Sequence, residues 1–485
     1  MSSPRARLVC PALRSRGGSF AHERDKIAAA LDEGVGGFIL FGGTAQAVRA
    51  LTRDLKQRAG GAGRAGRAGR PLLFASDLER GPGQQFRGLT ELPPPAALGF
   101  LNDLDATYAA GSITGTEARA VGLTWTFAPV CDLDLEPRNP IVQTRSFGAD
   151  AERVGAHAAA WIRGCQEHGV LACAKHYPGH GRTTTDSHEG LPIVDAAAAE
   201  LQRVDVAPFA AAVVAGVGSV MPAHVAYPAW DGTGVAATFS RPILAHLRDV
   251  LGFQGLVVTD AFIMAGATAA QGEGPAAAAA VTAGCDVLLY PTDWATVVRA
   301  LDAVPADRAA EAIARYEAAL RQWDMRRGDL GMLDDAMLAE HQRFADGLAD
   351  RAVHLVRGTA PRLTGPLSVS IVDDDVGGPY TIPPRDVFHG ALRGGGVSLT
   401  PGRRPGVSRV VLVYAEPRSW KGRADLGPRS LAQLARLAPG AELVILFAHP
   451  RLAAQVPGEA PVLCCWHGQA LMQRSAARWV VGRNT

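Results

Sequence analysis

The sequence predicts an α/β protein: a (β/α)8 TIM-like barrel followed by a smaller α/β sandwich domain. Two observations predict it. Short apolar, β-branched runs alternate with Ala/Leu/Arg-rich helical stretches as far as about residue 330, and eight such units can be counted. Alternation of this kind means parallel strands joined by crossover helices, and eight units favour closure over an open sheet. After a charged helical stretch broken by Gly328 and Gly331, a second and shorter α/β pattern begins. The expected division is 1–345 for the barrel, 346–365 for a linker and 366–485 for the C-terminal domain.

The strands expected in the first part are Leu8–Cys10, Gly37–Leu40, Leu72–Ser76, Thr126–Val130, Val170–Ala174, Ser219–Pro222, Leu256–Thr259 and Val287–Tyr290. Each is a brief run of Val, Ile, Leu, Phe or Thr bounded by turn residues. In the second part the strands expected are Leu367–Val372, Arg409–Val413, Glu442–Phe447 and Val462–Cys464, with helices near Ser430–Leu437 and Gln469–Val480. The segment Ala59–Arg70 is low in complexity and contains a literal G-x-G-x-x-G at Gly61, Gly63 and Gly66. A dinucleotide fingerprint follows a strand and opens a helix, whereas these glycines precede a strand, so a surface loop is expected there.

A chain of 485 residues fits two domains, and 47% hydrophobic with 20% charged residues is the composition of a globular protein. A net charge of +2 gives no reason to expect nucleic acid or a membrane surface as partner. The N-terminus shows no secretory apolar region, and the seven cysteines show neither a CxxC pair nor zinc spacing. These features point to reduced thiols in a cytoplasmic protein, with no cofactor and no metal.

Chemistry concentrates at strand ends. The densest segment runs Lys175-His176-Tyr177-Pro178-Gly179-His180-Gly181-Arg182-Thr183-Thr184-Thr185-Asp186-Ser187-His188. In a barrel, residues at the C-terminal ends of strands face the active-site mouth, which is where Lys175 and His176 are expected. Asp186 can orient the imidazole of His188 and tune its proton affinity. The bland reading is a polar surface loop; a metal site from His176, His180 and His188 lacks standard spacing. A second strand, Leu256–Thr259, delivers Asp260, whose bland reading is a cap on the next helix. Asp77, Asp132, Arg145 and His224 follow other strands, and their carboxylates and guanidinium suit sugar hydroxyls.

These segments resemble glycoside hydrolase family 3, and within it the β-N-acetylglucosaminidase branch. The matching pieces are Phe127-Ala128-Pro129-Val130-x-Asp132, Arg145-Ser146-Phe147-Gly148, the Lys175–His188 loop, Val220-Met221-Pro222-Ala223-His224, and Val258-Thr259-Asp260 with Met264-Ala265-Gly266-Ala267. The resemblance implies that Asp260 is the nucleophile and His188 the acid/base assisted by Asp186. It also implies that Asp77, Arg145, Lys175 and His176 hold the sugar. Many relatives read Asp-x-Glu-Gly-Gly where this chain has Asp77-Leu78-Glu79-Arg80-Gly81. A sugar-touching arginine of relatives is replaced by Gln85, with Arg87 close by.

The function so implied is a retaining glycosidase that removes terminal β-linked N-acetylglucosamine from a glycan or muropeptide, as in peptidoglycan recycling. The aglycone and the oligomeric state stay open. Two alternatives also stay open: a phosphorylase that uses phosphate in place of water, and a non-catalytic glycan-binding protein on the same fold. If the acid/base is His188, the second domain is expected to supply no essential catalytic group.

Overall fold

The computed structural model describes residues 3–60, 71–185, 190–264, 272–324, 334–378, 382–402 and 404–484. Among the described residues, nine short strands occupy the first part: β1 (Val9–Cys10), β2 (Ala12–Arg14), β3 (Gly37–Phe41), β4 (Leu73–Ser76), β5 (Trp125–Thr126), β6 (Cys173–Tyr177), β7 (Ser219–Pro222), β8 (Leu256–Val257) and β9 (Leu288–Leu289). Every pairing among them is parallel. They form ladders of four strands (β2-β3-β4-β5), three strands (β6-β7-β8) and two strands (β1-β9). Isolated parallel bridges stand at the seams: Trp125 with Leu171, Val130 with Lys175, and Val258 with Val287. The expected strand Leu8–Cys10 corresponds to β1, and β2, which was not expected, follows after Pro11, whose missing N–H interrupts the ladder between them.

These strands are buried on both faces, as parallel strands covered by helices must be. Phe38, Leu40, Phe74, Val220 and Val257 are fully enclosed. The long helices Leu104–Ala120, Ala151–Glu167 and Ala306–Asp324 supply much of the cover. The first two pack closely enough that a Cβ added to Gly111 or Gly164 would fall 2.2 or 2.1 Å from backbone of the facing helix.

The strand expected at Val170–Ala174 lies three residues further on, at Cys173–Tyr177. Lys175 and His176 are therefore inside a buried strand rather than just past its end. Polar side chains are tolerated there because each has a charged partner waiting.

The second part carries β10 (His354–Arg357), β11 (Leu367–Asp373), β12 (Ser408–Ala415), β13 (Leu443–Ala448) and β14 (Val462–Cys464) in the order β10-β14-β13-β12-β11. The last four are mutually parallel, and β10 joins β14 antiparallel at the edge. Alternation along β12 sorts its two faces. Val410, Leu412 and Tyr414 enter the main core, while Val411, Val413 and Ala415 enter a separate cluster with Leu434 of the helix Pro428–Leu437. The helices Val387–Gly394 and Ala470–Val481 cover the first face.

Residues 346–365, expected as a linker, hold the end of the helix Asp335–Ala352 and the edge strand β10. The edge strand is short and half-buried, so its hydrophobic pattern was too weak to read. The main core is also continuous between the two parts: it contains Phe74 and Phe127 as well as Phe388, Leu412 and Leu471. Side chains cross the same boundary. Arg451 reaches Asp134, and Gln469 donates to the carbonyl of Leu92 at 2.7 Å.

All seven cysteines are buried and unpaired. Among the described residues, no helix is long and apolar enough to cross a membrane. The helix Ala45–Gly60 runs up to the low-complexity segment, whose Gly61, Gly63 and Gly66 lie outside the described residues.

Candidate active site

A cavity of about 340 Å³ gathers five of the seven residues singled out from the sequence: Asp77, Arg145, Lys175, His176 and Asp260. The other two, Asp186 and His188, lie outside the described residues. Parallel strands all end on one side, so side chains far apart in sequence converge there. β4 leads to Asp77, β6 carries Lys175 and His176, and β8 leads to Asp260 three residues beyond its end.

Two ion networks organise this wall. In the first, Lys175 Nζ donates to Asp77 Oδ1 at 2.9 Å and lies 2.8 Å from Glu79 Oε1. Arg145 grips both oxygens of Glu79 through Nε at 2.9 Å and Nη2 at 2.8 Å. Such a fork is the stronger form of carboxylate pairing. Burial opposes the charge on Glu79, but Arg145 and Lys175 outweigh it and hold the carboxyl well below its usual range. Burial likewise opposes the charge on Lys175, and Asp77 and Glu79 overcome it, so its ammonium is held above the ordinary value.

The second network fixes His176. Its Nδ1 lies 2.6 Å from Asp132 Oδ2, and its backbone N–H also points at that carboxylate. The N–H of His180 donates to Asp132 Oδ1 at 2.7 Å. The free edge of the His176 ring faces Asp260, with Nε2 3.9 Å from Oδ2. Asp260 keeps 19% of its side-chain surface exposed, into the cavity. Burial would raise its pKa. The charges of His176 and His224, the N–H of Ala261 and the charge of Lys175 together bring it down to about 2. A carboxylate that is ionised, partly desolvated and open on one side is suited to attack an electrophilic carbon.

Sequence reasoning left several contributors without a role. Glu79 was quoted only within a motif, yet it bridges Lys175 and Arg145. Asp132, expected at a strand end among the groups suited to sugar hydroxyls, is turned onto His176. Gln85 does line the cavity, whereas Arg87 is exposed and outside its lining. The second part of the chain contributes Glu416, Pro417, Arg418 and His467 to the same cavity. Glu416 directly follows β12, so the strand-end rule that found Asp260 could have found it too. Among the described residues, no cluster of three His, Cys, Asp or Glu side chains is arranged to hold a metal ion.

Residues 8–321 match the model of the glycosyl hydrolase family 3 N-terminal domain. The chain belongs to glycoside hydrolase family 3. A curated relative from Chromobacterium violaceum, named beta-hexosaminidase, is 38% identical over 307 residues, covering 60% of this chain and 83% of the relative. Among solved structures, a glycoside hydrolase family 3 beta-N-acetylglucosaminidase from Paenibacillus sp. superposes with a TM-score of 0.85 at 26% identity, covering 99% of this chain and 96% of that one. A beta-glucoside phosphorylase also superposes with a TM-score of 0.85, at 22% identity, covering 99% of this chain and 92% of the other; at that identity the likeness is one of fold.

Proposed function

We propose that this protein is a retaining glycosidase that removes terminal β-linked N-acetylglucosamine by double displacement. The observation that carries the reading is Asp260, held ionised in the cavity beside an anchored His176 and a paired sugar-holding wall. The naming of relatives as beta-hexosaminidase supports the choice of sugar. In this reading Asp260 attacks the anomeric carbon as the glycosidic bond breaks, and the leaving oxygen takes a proton from His188, supported by Asp186. The glycosyl-aspartate ester is then cleaved by water, with return of the proton to His188 and overall retention. Asp77, Arg145, Lys175 and His176 hold the sugar. The substrate is a glycan or a muropeptide fragment.

The parallel ladders and their seam bridges add up, in the same proposal, to a closed (β/α)8 barrel, with the five-stranded sheet and its helices as the α/β sandwich. The buried unpaired thiols support a cytoplasmic location. The test is product analysis on an aryl β-N-acetylglucosaminide and the matching aryl glucoside. The N-acetylglucosaminide should turn over faster, with release of N-acetylglucosamine in the β configuration. Equal or reversed kcat/KM moves the protein to another branch of the family, and α-configured product excludes double displacement.

A further inference from the structure

The cavity has a second wall of different electrical character, built where the two parts of the chain meet. On the Asp260 side, Asp77 and Glu79 are matched by Lys175 and Arg145. On the other wall one carboxylate, Glu416, is already saturated: it accepts from the N–H of Gly468 at 3.0 Å and from Arg418 at 2.6 Å, and lies 3.3 Å from His467 Nε2. Arg418 Nε is buried with no hydrogen-bond partner among the described residues. Arg80 sends its guanidinium across the domain boundary to the His467 ring, at 2.8 and 2.9 Å, and to the amide oxygen of Gln469 at 2.8 Å. Among the described residues no carboxylate lies within ion-pair distance of Arg80. Burial first, and then the charges of Arg80, Arg418 and Arg385, push the His467 imidazole well below its usual value, so it adds no charge of its own.

A half-buried guanidinium whose hydrogen-bond partners are all neutral, with Glu416, Glu91 and Glu79 acting on it only from beyond ion-pair distance, costs desolvation that an oxyanion in the cavity it shares with Arg418 would recover. The planar fork of arginine fits carboxylate and phosphate oxygens. We infer that Arg80 and Arg418 form an oxyanion subsite on the wall of the sugar cavity. It takes a carboxylate or phosphate group carried by the departing aglycone or by the acceptor that resolves the glycosyl-enzyme. The inference rests on the proposed glycosidase reading, since it places the anion next to the reacting sugar. If the source is free phosphate, its oxygen bonds to the anomeric carbon as the ester bond to Asp260 breaks, and the products are a glycosyl phosphate and the free Asp260 carboxylate.

The experiment uses the full-length protein and compares a 4-carboxyphenyl with a neutral 4-carbamoylphenyl β-N-acetylglucosaminide. The quantity read is the ratio of the two kcat/KM values. R80Q and R418Q should each lower that ratio by about 10-fold, the worth of one charge-assisted hydrogen bond. R80K and R418K, which keep the charge but lose the fork, should fall between them and the wild type. A second arm adds inorganic phosphate and reads glycosyl phosphate against free sugar. A drop in that product ratio in the glutamine variants assigns the subsite to free phosphate, and a drop confined to the carboxylate aglycone assigns it to the aglycone. Both outcomes uphold the subsite. No change in either ratio in the four variants, with thermal unfolding like that of the wild type, overturns it. If the wild type turns over neither glycoside, the glycosidase reading fails by itself. Calorimetric titration with inorganic phosphate then decides the subsite: binding weakened about 10-fold in R80Q and R418Q upholds it, and equal binding or none in the wild type overturns it.

Discussion

The two walls of the cavity use the same residue types to opposite effect. On the wall that ends β4 and β6, every charge has a partner: Lys175 with Asp77 and Glu79, Arg145 with Glu79, His176 with Asp132. On the wall shared with the second part of the chain, Glu416 serves Arg418 and His467, while the hydrogen-bond partners of Arg80 are neutral. A fully paired wall is rigid and presents fixed donors and acceptors, as recognition of a neutral sugar requires. An incompletely paired wall is a place for a charge that arrives with the ligand. In the proposed reading, the wall that ends β4 and β6 holds the sugar, and the wall where Arg80 of the family-matched segment meets Arg418 and His467 from beyond it selects what the sugar is attached to.

The largest expected effect breaks the first wall at its reacting atom. Asp260→Ala should lower kcat by about 10⁴-fold or more while the fold is kept, and a slow fluorinated N-acetylglucosaminide should label Asp260 in the wild type. Mass spectrometry of the labelled peptide checks this, and labelling of Glu416 instead would reverse the roles of the two walls. His188→Ala comes next. It should reduce turnover of a disaccharide by about 10² to 10⁴-fold, and much less for glycosylation by an activated aryl substrate that needs no proton. Asp186→Asn should show the same dependence on leaving group with a loss no larger, and the double variant should lose little more than His188→Ala. A defect independent of leaving group places the acid/base elsewhere.

A smaller effect sharpens the comparison directly. Glu79→Gln removes the anion between two buried cations and should cost about 3 kcal/mol of stability along with a loss in kcat/KM. Glu416→Gln should lose activity only in part, because its neighbours are not the sugar's. Steady-state kinetics on one aryl substrate ranks the pair, and complete loss in folded Glu416→Gln contradicts the ranking. The smallest effect is on pH. Asp260 has its pKa depressed from 3.8 to about 2, so its ionised form is complete above 3.8 and is lost only as pH falls through about 2. An acid limb above pH 4 in the wild type therefore belongs to another group. His176→Gln removes the charge that, after the opposing effect of burial, does most to lower it, and should move the Asp260 limb upward in a kcat/KM profile. An unmoved limb would mean that His176 does not hold the carboxylate ionised.

What was legible in the sequence and what was not divides along physical lines. Ser219–Pro222 and Val462–Cys464 were placed to the residue, and the helix near Ser430–Leu437 within two residues of its observed start. Apolar runs with clear ends need only local chemistry to be read. The strand carrying Lys175 and His176 was set three residues early because polar side chains hide a strand whose partners come from elsewhere, here Asp77, Glu79 and Asp132. The edge strand His354–Arg357 was missed because it is held by pairing with Val462–Cys464, about a hundred residues on, rather than by a strong pattern of its own.

The site divides in the same way. By itself the sequence determined which residue types can do the chemistry, since strand ends and a histidine-rich loop are local patterns. Only the tertiary structure decided which of them meet. It brought Asp77, Arg145, Lys175, His176 and Asp260 to one cavity, revealed Glu79 and Asp132 as their organisers, and lined that cavity also with Arg418 and His467 from the second part of the chain. Ion pairing and shared walls depend on contacts across as many as 387 residues of chain, as between Arg80 and His467, and no local pattern encodes a contact of that kind.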